Sequence, residues 1–115
     1  MNREELKQTV LVFIQSHNGT SYAELERLLD RLQYEYRGRH EARAGANPNV
    51  ILWAGWNKEA LELIAELITE GKIERTPCSP VLYAIDGAML HYPILAEDPF
   101  KASFTQWLPV VFNAC

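Results

Sequence analysis

Cysteine is scarce in this chain: Cys78 and Cys115 are the only two in 115 residues. Two thiols, one of them terminal, make no disulfide framework, so a packed core must hold the fold and the thiols suit a reducing compartment. Long apolar runs are missing too. The longest, such as Val10 to Ile14, fall far short of the roughly 20 residues that span a bilayer, and no basic-then-apolar leader precedes a small-residue cleavage site. The expectation is a soluble, cytoplasmic protein with no membrane partner. The spacings on which chemistry usually rests are also lacking. His17, His40, His91, Cys78 and Cys115 include no C-x-x-C or H-x-x-x-H pair, Cys78 has no adjacent base, and neither a glycine-rich phosphate loop nor a G-x-S-x-G elbow occurs. No catalytic residue, no cofactor and no metal ligand is expected, and the chain reads as a non-enzyme.

What is present suits one ordinary core, with 48% hydrophobic and 23% charged residues. The clearest pattern runs from Asn57 to Gly71. Asn57 is a good N-cap, Ala60, Leu61, Ile64, Ala65, Leu67 and Ile68 recur at helical spacing, Glu59, Glu62, Glu66 and Glu70 fall opposite, and Gly71 suits a left-handed stop. Two β-like runs follow, Lys72 to Thr76 and Val81 to Asp86, joined by Pro77-Cys78-Ser79-Pro80; Val81, Tyr83 and Ile85 alternate, so a hairpin is expected. Upstream, Asn2 and Glu5 are spaced as a capping box for a helix ending near Ser16. After the break at Asn18-Gly19, Ser21-x-x-Glu24 opens a second helix with Leu25, Leu28, Leu29 and Leu32 as its buried stripe.

Helix, glycine, strand, turn, strand is the second half of a winged helix. The run Ile64-x-x-Leu67-Ile68-x-x-Gly71-Lys72-Ile73 resembles the helix-to-wing junction of the winged helix-turn-helix superfamily, and the resemblance covers roughly the first 90 residues. It implies an α+β, mostly helical fold: a winged-helix-like three-helix core with a C-terminal β-hairpin wing. One departure stands out. Residues 33–56 separate the second and third helices, where the usual connection is about three or four residues. Within this insertion, Tyr34 to Arg43 is able to prolong the second helix as far as Gly38, Ala44 to Asn49 reads as a mobile loop, and Val50 to Trp53 as a short buried strand or turn. Trp53 and Trp56 read as core, or else as an aromatic ligand shelf. Beyond the hairpin, Ala88 to Ala96 leads back across the core. Asp98-Pro99 then starts an extra C-terminal helix over 98–112, with Phe100, Phe104, Trp107 and Leu108 on one stripe. All of this forms a single domain, 1–115.

The resemblance implies DNA binding, but four glutamates on the exposed arc of the presented helix would meet a polyanion. Residues 58–115 carry four bases against eight acids, while residues 1–57 are balanced, so the whole net charge of −4 sits in the half that should face DNA. The expected function is a non-enzymatic protein-interaction or regulatory module, homodimeric, with an interface formed by Phe100, Phe104, Trp107 and Leu108 and by Glu59, Glu62 and Glu66. The alternative is a DNA-binding transcriptional regulator. Its nucleic-acid contacts would be Tyr34, Tyr36, Arg37, Arg39 and Arg43, whose rings stack on bases and whose guanidinium groups hold phosphates, unless those arginines are spent on neighbouring glutamates.

Overall fold

A computed structural model describes residues 1–96 and 98–115. Helix α1 (Arg3–Ser16) is capped by Asn2, whose side chain accepts from the Glu5 amide. A short strand, β1 (Thr20–Ser21), leads into α2 (Tyr22–Arg31), opened by the full Ser21–Glu24 capping box. α2 stops at Arg31 because Leu32 caps it and Gln33 takes a left-handed φ of 55°. The expected prolongation to Gly38 is thereby cut off. Residues 33–56 are instead mostly a β-hairpin, β2 (Arg37–Ala44) and β3 (Asn47–Trp56), turned at Gly45-Ala46 where a mobile loop was expected.

Helix α3 (Lys58–Thr69) begins at the expected Asn57, whose side chain accepts from the Ala60 amide. Its core face is rotated from the expected one. Ala60, Leu63, Ile64 and Leu67 are buried, whereas Leu61 and Ile68 are half-covered and Ala65 is exposed. Strand β4 (Ile73–Pro77) follows Gly71, which takes the expected left-handed conformation.

The expected partner strand, Val81 to Asp86, is a helix: α4 (Pro80–Asp86). Ser79 accepts from the Val81 amide, Pro80 fills the first turn, and Gly87 closes the helix at φ 81°. These caps outweigh the two-residue alternation of Val81, Tyr83 and Ile85, of which only Tyr83 is buried.

The C-terminal helix is also replaced. Asp98 and Pro99 open one 3-10 turn (Pro99–Lys101), and then the chain extends into β5 (Gln106–Trp107) and β6 (Val110–Ala114). Backbone groups that a helix would consume bond elsewhere: the Trp107 amide donates to Pro93, that of Leu108 to Ile51, and the Ala102 carbonyl accepts from Asn47 and Asn49.

The result is a compact α+β fold, about 40% helical, with two small sheets. In one, β6 is central and antiparallel to both β1 and β4; in the other, β3 is central, antiparallel to β2 and parallel to β5. Strand β3 is buried from Val50 to Trp53, as expected of that run. Aromatic rings join the two sheets. Tyr22 lies edge-on to Phe112 at 4.9 Å and to Trp56 at 5.4 Å, and Trp53 and Trp107 both pack on Tyr83. Trp53 and Trp56 are therefore core rather than a ligand shelf. Both indoles donate to the same Glu26 oxygen on α2, at 2.8 and 3.0 Å.

Candidate functional site

Three surfaces carry the residues singled out above. On α3, Glu66 and Glu70 are not a free acidic face. Arg3 pairs with Glu66, and Lys7, itself almost wholly covered, lies 2.6 Å from Glu70 and 3.5 Å from Glu66. Hydrogen bonding from Arg3 lowers the Glu66 pKa, that from Lys7 lowers the Glu70 pKa, and Glu70 in turn raises that of Lys7. Glu62 has Lys58 one turn away at 3.8 Å. Among the described residues, only Glu59 of this arc lacks an ion pair.

The second surface is the aromatic–basic run, now at the start of the hairpin. Tyr36 is buried against Trp56, so its ring offers no stacking platform. Arg37 lies over the Tyr36 ring at 4.6 Å and pairs with Asp30 at 2.9 Å, while Arg43 pairs with Glu41 at 2.8 Å and donates to the Pro48 carbonyl. Tyr34 is half-buried. Arg39 is exposed and, among the described residues, has no ion pair. Of the five residues, the three arginines are exposed and the two rings are not.

The third surface was expected to be a helical stripe. Trp107 is fully buried and Leu108 is half-covered beside β3, which leaves Phe100, in the 3-10 turn, and Phe104, on the irregular segment after it, exposed. A helix would align the four at i, i+4, i+7 and i+8; extended chain turns them in different directions.

Of the large apolar residues on the α-helices, the two most exposed are on α4. Val81 is 60% exposed, Ile85 76% and, just beyond the helix, Met89 49%. Val81 and Ile85 are one turn apart on the outer face. The inner face is anchored: the Tyr83 hydroxyl donates to the Val110 carbonyl at 2.5 Å and accepts from the Tyr22 amide at 3.1 Å. Burial pushes the Tyr83 pKa up. Asp86 accepts from Ser21 at 2.7 Å and pairs with Arg27 at 3.5 Å. The signal for this helix was in the sequence, as Ser79-Pro80 at its start, Gly87 at its end and two branched residues four apart.

Chemistry-bearing clusters are sparse. Among the described residues, no group of three His, Cys, Asp or Glu side chains is placed to hold a metal ion. Partial burial raises the Cys78 pKa, which suppresses the thiolate a nucleophile needs. Among the described residues, no helix is long and apolar enough to cross a membrane. Compared with known proteins, the chain matches no family model, no curated protein and no solved structure.

Proposed function

We propose that this chain is a non-enzymatic regulatory or adaptor module on a winged-helix-like plan, working through protein contacts and pairing with a second copy of itself. One observation carries the reading: the outer face of α4 is apolar, exposed and held rigidly from below by Tyr83 and Asp86. From Thr76 to Ala96 the only formally charged side chain is Asp86, and Ser21 and Arg27 engage it. Two copies that each carry a net charge of −4 repel one another overall, and a surface without charge adds least to that repulsion.

The winged-helix-like plan is supported by the order α1, β1, α2, α3, β4, β6 that remains once the inserted β2–β3 hairpin and the α4–β5 segment are set aside. It is supported too by the antiparallel sheet in which the first strand and the strand after α3 flank the last. Where the resemblance implies the second strand of the wing, this chain carries α4. Phosphate contact is disfavoured because Arg37 and Arg43 are paired within the chain and Tyr36 is buried.

The test is sedimentation equilibrium up to high micromolar protein, with and without labelled mixed-sequence duplex DNA at low and moderate salt. A dimer indifferent to DNA is the expected result. A strict monomer refutes the pairing, and binding that weakens steeply with salt moves the function to the Arg37–Arg43 run.

A further inference from the structure

The rotation of α3 leaves a stripe that the core covers only in part. Leu61, Ala65 and Ile68, at i, i+4 and i+7, form one wall of a groove whose other wall is Glu41, Ala42 and Arg43 of β2. Tyr22 and Arg75 also line the groove, and its volume is about 180 Å³. Two other hollows set the scale. The one enclosed among Val10, Leu25, Trp56 and Leu63 is about 10 Å³, no more than a single water fills. The one beside Met1, Leu6 and Tyr34 is about 120 Å³ and has no charged side chain in its lining. Of these three, the α3–β2 groove is the one that joins an apolar wall to charged side chains.

Those charges are not equivalent. Glu41 is occupied by Arg43 at 2.8 Å and by the Tyr92 hydroxyl at 2.7 Å. Arg43 is held by Glu41 and by the Pro48 carbonyl. Arg75 has no carboxylate partner among the described residues. It hydrogen-bonds the Tyr22 hydroxyl, whose pKa burial pushes up to about 12 against the pull of the guanidinium, so at neutral pH that hydroxyl is uncharged and keeps its own proton to donate. One cation without a carboxylate partner among the described residues, and one neutral hydroxyl bonded to it, line the same groove as the apolar stripe. Together they complement a single carboxylate on an apolar body.

We infer that the α3–β2 groove binds a small apolar monocarboxylate, an aryl- or branched-alkyl acid, with its hydrocarbon on Leu61, Ala65 and Ile68 and its carboxylate at Arg75. The size agrees, since about 180 Å³ lies below the roughly 300–1,000 Å³ of sites that take drug-sized ligands. The site shares no residue with the outer face of α4 and stands whether or not the chain pairs with itself.

The experiment titrates isotope-labelled wild-type protein with 3-phenylpropionate and, separately, with its neutral amide, following the methyl signals of Leu61, Ala65 and Ile68. A third arm uses a tripeptide ending in phenylalanine with a free carboxyl group. The free acid is expected to shift all three residues and to bind about tenfold more tightly than the amide, the size of one charge-assisted hydrogen bond. Arg75→Gln should bring acid and amide to equal affinity. Ala65→Phe, a change at an exposed position that leaves the core intact, should abolish both by filling the groove. Equal affinity of acid and amide in the wild type, shifts confined to other parts of the chain, or unchanged binding to Ala65→Phe overturns the inference. Tighter binding of the tripeptide than of the free acid overturns the assignment to a small molecule.

Discussion

Gly38 offers the sharpest stability test, because the inserted hairpin is pinned to the start of α3 at that residue. A Cβ built there would lie 2.7 Å from Asn57 Cα, 2.8 Å from its N and 2.9 Å from its Cβ, all nearer than real contacts allow. Two of these atoms belong to a backbone that cannot swing aside. The Asn57 amide donates to the Tyr36 carbonyl at 2.6 Å, its side chain donates to Glu35, and its side-chain oxygen caps α3. Forcing a methyl into packed structure costs about 1–3 kcal/mol, and losing the cap costs about 1 more. Gly38→Ala should therefore destabilise the protein by about 2–4 kcal/mol. A chain of 115 residues has an unfolding entropy near 0.24 kcal/mol/K, so Tm falls by about 8–16 °C. Gly45→Ala is the control: nothing lies within 4 Å of its added Cβ, and Tm should stay within about 2 °C. Thermal unfolding followed by far-UV circular dichroism measures both. A Gly38→Ala protein that melts with the wild type would refute the docking of β2 on the α3 cap.

Other perturbations follow from the same contacts. Glu26→Ala leaves the Trp53 and Trp56 indoles without their shared acceptor, which should cost about 2 kcal/mol and speed hydrogen exchange at both indole N–H groups. Unchanged exchange would contradict the clasp. Acid stability should depend on Glu66 and Glu70, whose pKa values are lowered from 4.5 in the folded state. Their contribution is complete above that value and is lost as pH falls through the lowered ones, so the wild type should lose more stability than Glu70→Gln between about pH 5 and pH 2. Lys7 has the opposite sign: its contribution is present below 10.5 and is lost as pH rises through its raised value. Denaturant midpoints across pH read both limbs, and parallel curves for wild type and Glu70→Gln would contradict the pairing.

The sequence disclosed those elements whose ends carry their own chemistry. Asn2, Ser21 and Asn57 cap α1, α2 and α3 as their side chains require, and Gly71 marks the stop of α3. Elements decided by distant partners were hidden. Val110 to Ala114 became a central strand because β1 and β4 present matching edges, and no local feature of those residues announces that. Phe100 to Leu108 had helical spacing and a helix start, yet Trp107 gains more by burial against Trp53 and Tyr83 than a solvent-facing helix would allow. On α3 the pattern marked six apolar positions without saying which the core would cover, so the groove stripe was indistinguishable from core. The outer face of α4 was legible in its caps but was masked by three alternating residues.

Self-association through the outer face of α4 is what the proposed function requires. Sedimentation equilibrium of the wild type, Ile85→Asp and Phe104→Asp addresses it directly, because both substituted residues are already exposed and neither change disturbs the core. The expected result is a wild-type dimer, a monomeric Ile85→Asp and a Phe104→Asp that still pairs. A wild type that stays monomeric at high micromolar concentration, or an Ile85→Asp protein that dimerises as the wild type does, would contradict it.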